Sequence, residues 1–248
     1  MLKVDRVEKS YKKGGLFSRE KQKILKNVSF ECRSGECLGI IGESGSGKST
    51  LGRLIVGIEK PDRGTVLFEG KNIQDRKVRV GNISAVFQDY TSSINPFFTV
   101  EEAIMEPLKG QKKGQKEIQS KIDHLLNQVG LDPSYRKKYP HELSGGEAQR
   151  VCIARAISTE PKCILLDEAI SSLDVSVQIQ VLDLLKKLKK SYNMSYIFIT
   201  HDIQAAAYIC DRVIFFRNGQ IEEMVKIEHL KDVQSEYARK LLQMIITF

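Results

Sequence analysis

An α/β fold with a parallel sheet is what the sequence predicts, from three observations. Short aliphatic runs of strand length recur along the chain, amphipathic helical segments separate the later runs, and glycines punctuate the earlier ones. Residues 2–7, 28–32, 38–41 and 66–69 are the first runs, with Gly64, Gly70 and Gly81 expected at turns between them. From 100 to 143 the pattern becomes helical. Ile118, Ile122, Leu125, Leu126 and Val129 recur at helical spacing and Gly130 follows as a stop. Residues 163–166, 196–200 and 213–216 then read as buried strands. Between the first two lies a helix carrying Val177, Val181, Leu184, Leu185 and Leu188 on one face. The tail from 226 to 248 is expected to be helical through Leu230, Val233, Tyr237, Leu241 and Leu242.

Composition excludes several classes. With 248 residues, 41% hydrophobic and 28% charged, the chain is neither disordered nor fibrous. Its longest unbroken apolar run, 205–210, is far short of the ~20 residues that cross a bilayer. The first residues, Met1 to Arg6, do not read as a secretory signal. Five cysteines with no CxxC pair (Cys32, Cys37, Cys152, Cys163 and Cys210) argue against a disulfide or zinc framework and for a reducing cytosol. The balance is basic, 39 Lys and Arg against 31 Asp and Glu, a formal +8. The excess concentrates at 9–26 and at 109–121, which includes Lys112 and Lys113. These runs read as solvated loops, with attraction to an acidic leaflet as the alternative.

The chemistry begins at Gly42, Glu43, Ser44, Gly45, Ser46, Gly47, Lys48, Ser49 and Thr50, which fit GxxxxGK[ST] between an apolar strand and a helical pattern expected from Leu51. Glycines let the backbone curl so that successive N–H groups face phosphate oxygens, and the helix start adds partial positive charge. Lys48 is then expected on the β- and γ-phosphates and the Ser49 hydroxyl on Mg²⁺. Downstream, an apolar strand ends in Asp167 and Glu168. Alternation along a strand would send the two acids to different neighbours. Asp167 is expected to complete the Mg²⁺ shell, and Glu168 to orient the water that attacks the γ-phosphate. His201, directly after the strand 196–200, is a candidate to stabilise charge on that phosphate. Gln88, at the end of the apolar run 83–87, is a candidate sensor of the same phosphate through Mg²⁺ or water. Ser144, Gly145, Gly146 and Glu147 precede a helix expected over 148–158 and form a second anion-binding geometry. Two phosphate-binding edges on one chain make sense if each faces a second copy.

In this order, these motifs resemble the ATP-binding subunits of ABC transporters across essentially the whole chain. The resemblance implies a RecA-like P-loop NTPase core with a parallel sheet, an N-terminal antiparallel β subdomain and an inserted α-helical subdomain. It divides the chain into a core of 1–90 and 155–225, a helical subdomain of 91–154 that carries the signature, and a helical tail of 226–248. By the same likeness Tyr11 stacks on adenine, Gln88 is the Q-loop, residues 143–147 the signature, Asp174 belongs to the D-loop and His201 is the switch histidine. The segments Gly15-Leu16-Phe17, 88–96, 139–143 and 173–178 look like the oligopeptide, dipeptide and nickel importer branch, in which two related but different ATPases usually pair. The cofactors implied are ATP and Mg²⁺. The partners implied are a second, related ATPase subunit, membrane permease subunits and, indirectly, an extracellular solute-binding protein, with no nucleic acid. The location implied is peripheral, on the cytoplasmic face of the membrane.

Two departures from the family pattern stand out: Glu147-Ala148 where Gln is usual at the first position, and Ala169-Ile170 where Pro-Thr is usual. Peptide-transporting relatives carry further C-terminal cysteines for an iron–sulfur cluster. Here only Cys210 lies beyond Cys163, and the short tail looks more like the nickel and metallophore members. The alternatives are an ABC exporter ATPase and a soluble ABC ATPase acting on DNA or ribosomes. Against the latter, no sustained heptads lie between Lys48 and Ser144.

Overall fold

Alternating apolar and polar residues set the first elements. In strand β1 (Leu2–Lys12) Leu2, Val4 and Val7 turn inward, and in β2 (Lys21–Cys32) Leu25, Val28, Phe30 and Cys32 do the same. The computed structural model describes residues 1–13, 20–89, 93–109 and 115–246. The Gly15-Leu16-Phe17 segment, residues 90–92, and Lys112 and Lys113 lie outside them.

By its internal contacts the chain divides into two units, 1–80 with 195–248, and 81–194. In the first unit, β1 and β2 join β4 (Arg63–Phe68) and β5 (Lys71–Asn72) in an antiparallel sheet of order β2-β1-β4-β5. A second group holds β3 (Cys37–Ile41) between β8 (Ser195–Thr200) and β9 (Arg212–Arg217), all parallel, with β10 (Gln220–Lys226) antiparallel to β9. Every residue of β3 and β8 is buried, as befits parallel strands covered on both faces. Register pairs Ile41 with both Thr200 and Phe215, so the residues after β3, β8 and β9 emerge at one end. The helices here are α1 (Lys48–Ile55), α2 (Arg76–Arg79), α7 (Ile203–Ile209) and α8 (Glu236–Ile246).

In the second unit, β6 (Ile83–Phe87) and β7 (Cys163–Asp167) are parallel, with Phe87 opposite Asp167. The helices are α3 (Val100–Met105), α4 (Gln115–Gln128), α5 (Gly145–Ile157) and α6 (Val175–Tyr192). Thr99 and Glu102 form a reciprocal cap at the start of α3, and Gly130, at φ +74°, ends the chain's run after α4. Arg136 fastens this region, reaching Glu101 at 3.0 Å and Asp123 at 3.2 Å.

The expected strands and helices form, with four differences. Gly64 is inside β4, not at a turn: its φ is +78°, and a Cβ there would stand 2.2 Å from Arg6 O, where β1 slips register against β4. The helix of the phosphate-loop motif starts at Lys48, ahead of Leu51, and that of the signature at Gly145, ahead of Ala148, because each motif supplies the helix's own first turn. The tail is helical only from Glu236; residues 227–232 form a 3₁₀ segment and the chain before it is strand β10. All five cysteines are buried as free thiols. No helix among the described residues is long and apolar enough to cross a membrane.

Candidate active site

The first unit presents the phosphate-loop motif at the end of β3. Gly42 packs on the backbone of β9 near its end: a Cβ there would lie 2.1 Å from Phe216 O, so no other residue fits. Gly45 and Gly47 have φ of +78° and +105°, the left-handed turns that curl the loop. Glu43, Ser44 and Gly45 are exposed, whereas Ser46 and Lys48 are buried. The Ser46 hydroxyl is buried with no hydrogen-bond partner, an uncommon state for a polar group unless something polar is to reach it. Lys48 Nζ donates to Gly42 O at 2.6 Å and Glu43 O at 2.9 Å, so the ammonium lies within the curl. Ser49 and Thr50 open α1 behind it. A curled loop with a buried ammonium, a buried unpartnered hydroxyl and the start of a helix fits a phosphate chain.

Two more candidates of this unit approach the same region. His201 follows β8 directly, exposed, at the strand end where the loop after β3 also emerges. Thr200 Oγ1 accepts from Asp202 N at 3.0 Å, and Asp202 caps α7 by accepting from Ala205 N at 3.0 Å, which fixes the turn that carries the histidine. Tyr11, on β1, donates its hydroxyl to Glu59 Oε2 at 2.5 Å, with Lys9 Nζ 5.4 Å from the ring centroid. Burial, and then the Glu59 carboxylate, push the Tyr11 phenol up, while the Thr50 hydroxyl beside it acts the other way. That neighbourhood sets Tyr11 against the first turn of α1.

The second unit gathers the acids. Because Phe87 is opposite Asp167, Gln88 and Glu168 leave their strands side by side. Asp167 is buried at the end of β7. Glu168 has φ +52°, a left-handed backbone unusual for a carboxylate residue, so this turn and not strand alternation aims its side chain. Its carbonyl accepts from Ser171 Oγ at 2.9 Å, which ties the turn down.

The signature forms the first turn of α5. Ser144 is the N-cap; its Oγ accepts from Glu147 N at 3.4 Å, and Glu147 Oε2 accepts from Ser144 N at 2.8 Å. The Tyr135 hydroxyl donates to Glu147 Oε1. That bond first, and then the Ser144 N–H, hold the Glu147 carboxyl below the usual carboxylate range. The glycine at 146 is required by packing, since a Cβ would stand 2.8 Å from Val177 Cγ1. Ser144, Gly145, Gly146 and Glu147 line one cavity of about 460 Å³ together with Asp174, the N-cap of α6. The structure thus brings the D-loop candidate to the signature.

Sequence reasoning missed three contributors. Tyr135 has no motif of its own. Glu59 is one acid among many. Tyr237, read as an apolar position of a helical tail, reaches the phosphate loop and carries no sequence signal for it.

Residues 25–171 match the ABC transporter family. The metal-staphylopine import system ATP-binding protein CntF of Staphylococcus aureus (strain NCTC 8325 / PS 47) is 53% identical over the full length of both chains. The oligopeptide transport ATP-binding protein AppF of Bacillus subtilis (strain 168) is 42% identical over 89% of this chain and 70% of its own. The nickel import ATP-binding protein NikE of Escherichia coli O157:H7 is 39% identical, covering 99% and 94%. Among solved structures, the dimeric post-hydrolysis state of the ATP-binding cassette MJ0796, bound to ADP and Pi, matches with a TM-score of 0.82 at 32% identity, over 92% of this chain and 99% of that one. The chain belongs to the ABC transporter family, as a transport-coupled, ATP-binding ATPase of its nickel and oligopeptide importer branch.

Proposed function

We propose that this chain energises the import of a metal chelate, of the nickel, cobalt or metallophore kind, with peptide as the second cargo class. One ATP is sandwiched between the phosphate loop of one subunit and the signature of its partner. The observation that supports this best is the presence of two phosphate-binding geometries on one chain: the Gly42–Thr50 loop with its unpartnered Ser46 hydroxyl, and the Ser144 helix start opening on a cavity. A nucleotide bound within one chain would need only the first, which leaves the second to face a partner's nucleotide, and the solved MJ0796 neighbour is a dimer. Full-length likeness to a metal-staphylopine import protein supports the cargo class.

In this reading Lys48 and the loop amides hold the phosphates, and Tyr11 stacks on the base. Ser49, Gln88 and Asp167 are the residues that would hold a Mg²⁺, which would neutralise phosphate charge there. Glu168 orients the attacking water and His201 stabilises charge on the γ-phosphate. Ser144, Gly145, Gly146 and Glu147, with Asp174 beside them, face the partner's ATP. Binding closes the pair and hydrolysis reopens it. The core comprises 1–90 and 155–225, the helical subdomain 91–154 and the tail 226–248. The partner ATPase is a related, non-identical subunit, and the pair works on the cytoplasmic face against permease subunits served by an extracellular binding protein. The segment from Gln88 to Thr99 contacts the permease, a role supported by Phe97, which stands 86% exposed.

Uptake in a strain lacking the gene tests the cargo. Loss of chelate-dependent nickel or cobalt accumulation, restored by the wild-type gene and not by a Lys48→Ala copy, is expected. Intact metal accumulation with lost peptide uptake would overturn the metal assignment.

A further inference from the structure

Tyr237 is buried, 6% exposed, with its hydroxyl on the phosphate loop. The Glu43 N–H donates to Tyr237 Oη at 3.1 Å. The carbonyl of the same peptide unit, Gly42 O, accepts from Lys48 Nζ at 2.6 Å. One peptide plane is therefore gripped at its N–H by a phenol from the C-terminal helix and at its C=O by the lysine of the loop. We propose that Tyr237 is a positioning residue of the phosphate loop, holding the Gly42–Glu43 peptide in register when Lys48 turns from Gly42 O to the phosphates. The proposal rests on reading residues 42–50 as the phosphate loop.

The surroundings are arranged to deliver this hydroxyl. Glu223 of β10 accepts from Gln234 N at 2.9 Å and Ser235 N at 2.8 Å, and Ser235 Oγ accepts from Ala238 N at 3.0 Å, so the start of α8 is pinned to the sheet. The Arg217 guanidinium stacks 4.9 Å from the Tyr237 ring centroid and fixes its face. From the β9–β10 turn, Gly219 N donates to Ser46 O at 2.9 Å, so the loop is held at both Glu43 and Ser46 by the C-terminal part of the chain. Burial pushes the Tyr237 phenol up. The group beside the loop is thus a neutral hydroxyl, which accepts from an amide without repelling phosphate.

The test compares wild type, Tyr237→Phe, Tyr237→Met and Lys48→Ala in the full chain, with Mg²⁺ and a fluorescent ADP analogue as probe. Hydrogen exchange at the Glu43 amide is the second readout. Tyr237→Phe keeps the ring and its stacking and removes only the acceptor. The expected result is affinity weakened roughly three- to tenfold, the weight of one neutral hydrogen bond. The turnover number should stay within about twofold and exchange at Glu43 should quicken, since positioning acts on binding and not on the chemical step. Tyr237→Met, which fills the site without a hydroxyl, gives the same shift and serves if the Phe variant does not accumulate. Unchanged affinity and exchange in the Tyr237 variants, with binding abolished in Lys48→Ala, would overturn the role of Tyr237 alone. Weakened affinity with unchanged Glu43 exchange would also overturn it, because packing would then be the cause. Wild-type affinity in Lys48→Ala would remove the phosphate-loop reading itself.

Discussion

Glu168 combines a catalytic assignment with a backbone that resists it. Its φ of +52° costs on the order of 1 kcal/mol for a residue with a Cβ, and the Ser171 hydroxyl on its carbonyl helps keep it there. The acid itself was legible, as the charged end of an apolar strand; the left-handed turn was not, since nothing in Asp167-Glu168-Ala169 marks it. Glu168→Gln keeps the side chain's size and removes its charge. It is expected to keep ATP bound and the pair closed while hydrolysis falls by about 10² or more. Steady-state phosphate release at the wild-type rate would refute the assignment. Glu147, a departure from the family's usual Gln, has a local cause: both its oxygens are engaged, one by Tyr135 and one by the Ser144 amide. Its carboxyl pKa is lowered in the folded chain. The stability it contributes is therefore present above the unfolded pKa and is lost as pH falls through the folded one. Tyr135→Phe should raise the Glu147 titration toward the ordinary carboxylate range, as read by carbon NMR of the side chain. An unmoved titration would mean that the Tyr135 bond does not form.

At the scale of elements, buried strands were the most legible part. Short runs without a charged or polar side chain, such as 38–41 and 196–199, too short for a helix and rich in β-branched and aromatic residues, read as covered parallel strands and form them. Strand β10 was hidden for a physical reason. Its register slips between Ile221 and Glu223, so the two adjacent acids Glu222 and Glu223 break the alternation that marks a strand. Residues 220–225 fall in the expected core with no strand read there, and only Lys226 of β10 belongs to the expected helical tail, so the strand that anchors α8 went unseen. The helical region 100–143 was visible by spacing, but its clasp was not. Arg136 bonds Glu101 from the start of α3 and Asp123 from α4, with a side chain 21% exposed. Arg136→Met removes both pairs and should lower unfolding stability by about 1–2 kcal/mol, read as a lower urea midpoint with unchanged slope. A midpoint equal to wild type would show that the clasp carries no weight.

For the whole molecule, the proposed sharing of ATP between two subunits rests on the motifs. The sequence carries a phosphate loop and a signature, each complete by itself: Ser144 caps its own helix, and Gly42 packs on its own sheet. What no single sequence displays is the Tyr237 contact or the choice of partner, because both depend on surfaces that meet far along the chain or between chains. The central claim is that one copy holds half of each ATP chamber. The most direct measurement is specific ATPase activity of the purified chain, alone and with its partner ATPase, from nanomolar to micromolar concentration. Activity per molecule is expected to rise with concentration until pairs form, and to collapse with Ser144→Ala combined with Gly146→Asp. Constant specific activity at every dilution, untouched by those two substitutions, would contradict it.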